Sequence, residues 1–345
     1  MSIGEYFLRR LGLAVFVLLG VLLVTFLVSR VVPGEPARLF LGPRASREAL
    51  EEAREMLGLD DPLPVQFARY VFDTVRGDFG FSFRTRRPIL QDLRVRLPAT
   101  MELVVVSVAL ALIVGIPVGV SSAASQGGNF DRASRLITIA GISMPAFWLG
   151  LLLQLVFFLS LGWLPLGGRV ARDVASAHPI EFITGFHLID AAITGNWVAL
   201  RSALIHIIMP AAALATYPIS VAVRMTRASM LDVLCETYVD AAQAAGLSER
   251  LIHFRLALKN AIVPTLTVMG LIFAYSITGA VVVEIIFTWP GIGTYMTDAI
   301  LSNDIYVLFG VTVVVTIIYI FANLAVDLIQ AAMDPRVRLG AGKEG

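Results

Sequence analysis

The sequence predicts an all-α, polytopic membrane protein: six transmembrane helices, with an extracytoplasmic helical insertion between the first and second. Two observations carry this reading. Of 345 residues, 57% are hydrophobic and 15% charged, with a mean hydropathy of +0.80; a soluble domain carries roughly 25% charged residues. Several apolar runs also approach twenty residues, and a helix rising 1.5 Å per residue needs ~20 to cross ~30 Å of hydrocarbon. The lipid bilayer is therefore the main solvent of this chain. A net charge of +1 offers no electrostatic footprint for nucleic acid.

The elements follow in order. Leu11–Val28 comes after Arg9 and Arg10, like the start of a signal peptide. It is too long for an h-region and no small-x-small cleavage site follows, so residues 1–31 read as an uncleaved signal-anchor and the first span, about 11–31. Residues 32–98 are the charged, Pro- and Gly-punctuated insertion. Within it Ser46 can cap a helix over about 47–57 that Gly58 ends. Pro62 and Pro64 open a second helical run to about Arg76, and Gly77-Asp78-Phe79-Gly80 turns the chain. Residues 99–335 form a five-helix core with spans at about 99–123, 134–161, 204–225, 262–284 and 307–330. Residues 162–203 make a second long loop, and 336–345 a tail. Pro145, Pro210 and Pro218 lie inside spans, where a missing N–H frees a carbonyl and bends a helix.

Orientation follows from the short loops. With the N-terminus inside, the cytosolic side holds Arg9, Arg10, Arg132, Arg135, Arg224, Arg227, Arg250, Arg255, Lys259, Arg336, Arg338 and Lys343. Residues 285–306 contain no Lys or Arg but do carry Asp298 and Asp304. Both termini are thus expected in the cytosol. Arg30, Arg94 and Arg96 run against the rule, but they flank a long translocated segment that escapes it.

Several chemistries lack support. The two lysines are Lys259 and Lys343, and Gly342-Lys343 is followed by Glu344, so no phosphate-binding loop of the Gly-Lys-Ser/Thr type is present. His178, His187, His206 and His253 are scattered without metal-ligand spacing. No Ser or Cys nucleophile is paired with a positioned base, so the chain is not expected to be an enzyme. Cys235 cannot form an internal disulfide and reads as a small buried or half-buried residue.

Residues 236–264 are the most informative stretch. A polar loop, about 226–261, lies between two apolar segments. Asp240-Ala241-Ala242 is followed four residues later by Gly246, and a second amphipathic run comes after it. Such a helix-turn-helix, with a nearly flat alanine face, suits docking to a soluble partner. An ordinary helical hairpin fits the same spacing, because alanines favour helices and glycine often ends them.

Polar residues at membrane depth are the other candidates. Tyr217, Tyr275, Ser276 and Thr278, with Ser143 and Phe147 beside Pro145, are candidates to line a path, though helix packing accounts for them equally. Glu284 stands at a helix C-terminus, where the macrodipole disfavours a carboxylate. It needs a partner, and a bond to the turn Thr288–Gly293 is favoured over substrate contact. Glu102, read as lying in the first turns of span two, needs only a structural role, and Asn323 and Asp327 read as polar glue between helices.

The ordered motifs resemble one family along nearly the whole chain. They are Val32-Pro33-Gly34-Glu35-Pro36-Ala37; Leu57-Gly58-Leu59-Asp60-Asp61-Pro62; Gly77-Asp78-Phe79-Gly80-Phe81-Ser82; Arg96-Leu97-Pro98-Ala99-Thr100; Ser143-Met144-Pro145-Ala146-Phe147-Trp148; Trp289-Pro290-Gly291-Ile292-Gly293; and Met333-Asp334-Pro335-Arg336. The chain is similar to the permease subunit of binding-protein-dependent ABC importers of the dipeptide/oligopeptide/nickel type. The resemblance implies that Tyr238, Asp240, Ala241, Ala242, Ala245 and Gly246 form the coupling helix that docks in a separate ATPase subunit. It implies a homologous second permease, two ATPase subunits that bind the ATP and Mg, an extracytoplasmic substrate-binding protein, and no cofactor in this chain. Asp240 stands where the family pattern has glutamate, and the closing proline is delayed to Pro264, a variant that suits the peptide branch. An autonomous channel or ion-coupled transporter is the alternative. It would need mid-depth carboxylates, and no inverted repeat of the usual secondary-transporter kind is visible.

Overall fold

The computed structural model describes residues 3–31, 46–56 and 60–333. In chain order the helices are α1 (Ile3–Val31), α2 (Arg47–Met56), α3 (Leu63–Val75), α4 (Ile89–Ala124), α5 (Asn129–Ser143) and α6 (Ala146–Leu153), which a π-helix (Gln154–Ser160) prolongs. Then come α7 (Arg172–Ala177), α8 (His187–Ile193), α9 (Trp197–Leu234), α10 (Thr237–Ala244) and α11 (Glu249–Leu251). A second π-helix (Ile252–Ala257) leads into α12 (Leu258–Ile286), followed by α13 (Ile292–Leu301) and α14 (Ile305–Met333). Among the described residues the only β pairing is an isolated bridge between Phe81 and Pro88. The motifs at 32–45, 57–59 and 334–336 and the tail 336–345 lie outside the described residues.

Among the described residues, five stretches are long and apolar enough to cross a membrane: Arg10–Val28, Ile89–Ala124, Trp197–Leu234, Glu249–Ile286 and Ile305–Val326. The expected third span, 134–161, is not one straight helix. It is broken into α5 and α6 with its π extension, at an angle of 104°. Pro145 explains the break, since its ring pushes the preceding residue out of the α region: Met144 has φ −87° and ψ 119°. Pro210 and Pro218, by contrast, sit inside the unbroken α9.

Two further expectations change. Helix α4 starts at Ile89, inside the segment read as insertion, so Glu102 lies several turns into the helix and not in its first turns. Cys235 is exposed, not buried, as the C-terminal cap of α9. Ser46 and Pro64 stand at helix starts, whereas the helix expected from about 204 begins at Trp197, inside the segment read as a loop. Ser46 precedes α2, with Leu50 N–H donating to the Ser46 carbonyl. Pro64 occupies the first turn of α3, where its missing N–H costs nothing. Asn196 caps α9 by accepting from the Ala199 N–H at 3.1 Å.

The chain divides into two compact units. One comprises 97–294 and the end of α14 from Phe321. Its core is α9, packed against α12, α5, α6 and α8. The α4–α9 contact is close: a Cβ on Gly115 would meet Ala222 Cβ at 2.5 Å, and one on Gly119 would meet Thr226 Cβ at 2.6 Å. Small residues one turn apart let the two backbones approach, as in other lipid-embedded helix pairs. The other unit comprises 2–96 and 295–320. In it Asp304, fully buried, accepts from Ser82 Oγ (2.7 Å) and Phe83 N–H (2.8 Å), while Asp92 accepts from Thr85 Oγ1 and the Tyr295 hydroxyl.

Candidate functional site

Helix α10 is held from one side and open on the other. Val239 is 1% exposed and anchors it, and the Tyr238 hydroxyl accepts from Asn260 Nδ2 at 3.0 Å on α12. Asp240, Ala241 and Ala245 face solvent and Ala242 is half-buried. The helix ends in a paired-bond cap: Gly246 N–H donates to the Gln243 carbonyl and Leu247 N–H to the Ala242 carbonyl. Gly246 has φ +76°, a left-handed conformation that costs other residues roughly 1–2 kcal/mol. A Cβ there would meet nothing within 4 Å, so geometry and not space selects glycine.

The second π-helix, against which α10 packs, joins through Ala257 a small apolar core of Val120, Ala123, Met230 and Ala261. Beside it, Asp131 at the start of α5 is 1% exposed. It receives Arg227 of α9 in a two-bond pairing at 2.6 and 2.9 Å, Ser122 Oγ of α4 at 2.7 Å and Gly127 N–H at 3.0 Å. One carboxylate thus ties the ends of α4, α5 and α9 together. Planar two-point pairing fixes orientation as well as charge.

The structure gathers some path candidates and separates others. Tyr217 and Tyr275, both exposed, and buried Ser276 line one cavity of about 390 Å³ with Ile142, Met144 and Pro218. The Pro145 break and Pro218 meet at its wall. Pro218 has no N–H, so the Leu214 carbonyl in the same wall loses its ordinary helical donor. Ser143 and Phe147 line a separate recess of about 370 Å³ with Trp148. Thr278 is exposed and borders neither.

Glu284 belongs to neither cavity. It is fully buried, and its carboxylate accepts from Thr100 Oγ1, Gly293 N–H (2.7 Å) and Thr294 N–H (3.2 Å). The bond to Gly293 is the kind of turn contact that the sequence favoured over substrate contact. Thr100 Oγ1 accepts from Ile292 N–H, and Trp289 Nε1 donates to the Ala99 carbonyl, which closes the turn on α4.

A second buried cluster orders the 162–196 loop. Arg169 (7% exposed) pairs with Glu102 (3% exposed) and donates to the Gly185 carbonyl, while Glu102 also accepts from Leu188 N–H. Asp190 gathers the N–H groups of Ile183, Thr184 and Gly185, which together with Thr184 Oγ1 overcome its burial and hold its carboxyl below the usual range. His187 is pushed down to about 4, first by burial and then by Arg169. Asn323 is half-buried, with no partner for its Oδ1 among the described residues, and the Asp327 side chain lies outside them.

Sequence reasoning missed Arg169, Asp190 and the Asp131–Arg227 pair. Arg169 meets Glu102 across 67 residues and Asp131 meets Arg227 across 96, which no local spacing signals, whereas the partners of Asp190 are local turn N–H groups.

Known proteins place the chain. Residues 115–339 match the family described as binding-protein-dependent transport system inner membrane component, and residues 3–104 match the N-terminal region of such membrane components. A probable D,D-dipeptide transport system permease protein, DdpB of Escherichia coli (strain K12), is 43% identical over 95% of this chain and 96% of its own length. The dipeptide transport system permease protein DppB of Alkalihalophilus pseudofirmus is 40% identical over 96% and 99%. The oligopeptide transport system permease protein AppB of Bacillus subtilis is 35% identical over 97% and 99%. The chain therefore belongs to the inner membrane components of binding-protein-dependent transport systems, as a multi-pass permease subunit of an ABC importer.

Proposed function

We infer that this permease forms, with a homologous second permease, the path by which di- or oligopeptides delivered by an extracytoplasmic binding protein cross the inner membrane. Two separate ATPase subunits, which bind ATP and Mg, dock from the cytosol on α10 through Tyr238, Asp240, Ala241, Ala242, Ala245 and Gly246. The binding protein docks on 32–98 and 162–203, and both termini are cytosolic. The carrying observation is α10: a short helix fixed underneath by Val239 and Tyr238, sealed by the Gly246 cap, with its other face open. ATP-driven closure of the ATPase pair would move α10, and the packed core joined to it through the second π-helix would pass that movement to α4, α9 and α12. The permease is then the two-state element that ligands on both sides bias.

The cavity at Tyr217 and Tyr275 supports the path. Its lining offers hydroxyls from Thr216, Tyr217, Tyr275 and Ser276 but no carboxylate or basic side chain. A neutral path suits cargo with varied side chains. The saturated carboxylate of Glu284 weighs against ion coupling.

The test is Asp240→Arg in the assembled importer. Uptake and substrate-stimulated ATP hydrolysis are expected to be lost while the subunit remains inserted. Normal values for both would refute docking at α10.

A further inference from the structure

Helix α3 packs against the last apolar turn of α1. The Phe26 ring meets Phe67 at 5.4 Å and Tyr70 at 6.1 Å, and Thr25 Oγ1 bonds the Tyr70 hydroxyl at 3.1 Å. Thr25 and Phe26 lie inside the apolar stretch Arg10–Val28. Phe26 is two residues from the end of that stretch, ~3 Å along the helix axis. A helix seated at that level lies within the roughly 5–10 Å zone occupied by interfacial helices.

The opposite face of α3 is apolar and open. At 3.6 residues per turn, Val65, Ala68, Phe72 and Val75 point away from the packed stripe of Gln66, Phe67, Tyr70 and Thr74. Val65 is 47% exposed, Phe72 53% and Val75 76%. Two arginines flank this face: Arg76 holds its guanidinium 3.9 Å from the Phe72 ring centroid, and Arg69 pairs with Asp61 at 2.6 Å. On α1, Val24, Leu27 and Val28 are also exposed, within one turn of the Thr25 and Phe26 that hold α3.

We propose that α3 is an interfacial helix whose Val65–Phe72–Val75 face rests in the headgroup boundary of the bilayer leaflet where α1 ends, with Arg76 at the level of the lipid phosphates. The occupant is the lipid of the protein's own membrane. The attachment of α3 to the apolar stretch of α1 and the cationic Arg76 at the edge of an open apolar face both select it. This seat fixes the height of the insertion above the membrane. The inference does not depend on what the importer carries.

The experiment places an environment-sensitive fluorophore on Phe72→Cys in a Cys235→Ser background. Exposed Arg87→Cys serves as the aqueous comparison. The full chain, with its partner subunits, is reconstituted in phosphatidylcholine–phosphatidylglycerol vesicles. Nitroxide lipid is expected to quench position 72 several-fold more than iodide does, with the reverse order at position 87. Iodide-dominated quenching at 72 means a water-facing helix and overturns the proposal. Quenching by neither agent means a protein covers the face, and also overturns it. Val65→Cys supplies the same readout if the Phe72 variant does not assemble.

Discussion

Gly246 shows how much one residue can be made to say. Its left-handed backbone closes α10, and the space around it is open. Gly246→Ala is therefore expected to cost about 1 kcal/mol in local helix stability and to weaken ATPase-subunit binding only partly. Gly246→Trp adds bulk on the open face and should abolish uptake; copurification of the ATPase subunit with each variant distinguishes the two. His187 tests the loop chemistry. Its folded value, about 4, lies below its ordinary 6.5, so the unfolded chain binds a proton first as pH falls. Stability from this group is complete above 6.5 and is lost progressively down to about 4. Asp190, shifted in the stabilising direction, contributes above its ordinary 3.8 and loses its contribution only below it. Thermal unfolding should therefore show a pH slope between 6.5 and 4, and His187→Gln should flatten it. Gly246 was legible in the sequence because a cap is local. The burial of His187 was not, because Arg169 reaches it only through the folded loop.

At the scale of elements, helix positions were visible and helix breaks less so. Pro145 announced a bend, but a bend of 104° depends on α6 finding its packing against α9 and α12. Gly115 and Gly119 form a small-residue stripe, and the sequence does not say which helix they meet. The structure answers α9, through Ala222 and Thr226. The same holds for Asp131, whose role is to join three helix ends. Removing one member of a buried pair strands the other, at roughly 3–5 kcal/mol. Because Arg227 keeps 20% exposure, Asp131→Ala is expected near the low end, about 3 kcal/mol. A double-mutant cycle with Arg227→Ala, read by thermal stability, should return a large coupling, and strictly additive losses would show that the pair does not act as a unit.

At the scale of the whole molecule, α10 and the neutral cavity lie in the same unit but share no residue. The two sites can be separated by experiment. Tyr275→Trp should fill part of the cavity and lower uptake several-fold while ATPase-subunit binding stays normal. Asp240→Arg should break that binding and leave the cavity intact. Equal loss of ATPase binding in both variants would count against separate roles. By itself the sequence determined the membrane class, the approximate place of most spans and the family resemblance, because hydropathy and motifs are local properties. Only the tertiary structure decided that span three breaks, that Glu284 and Glu102 are held by intrachain partners, and which tyrosines share a cavity. Those outcomes depend on which distant groups meet once water is excluded, and a buried carboxylate takes whatever donors the fold brings to it.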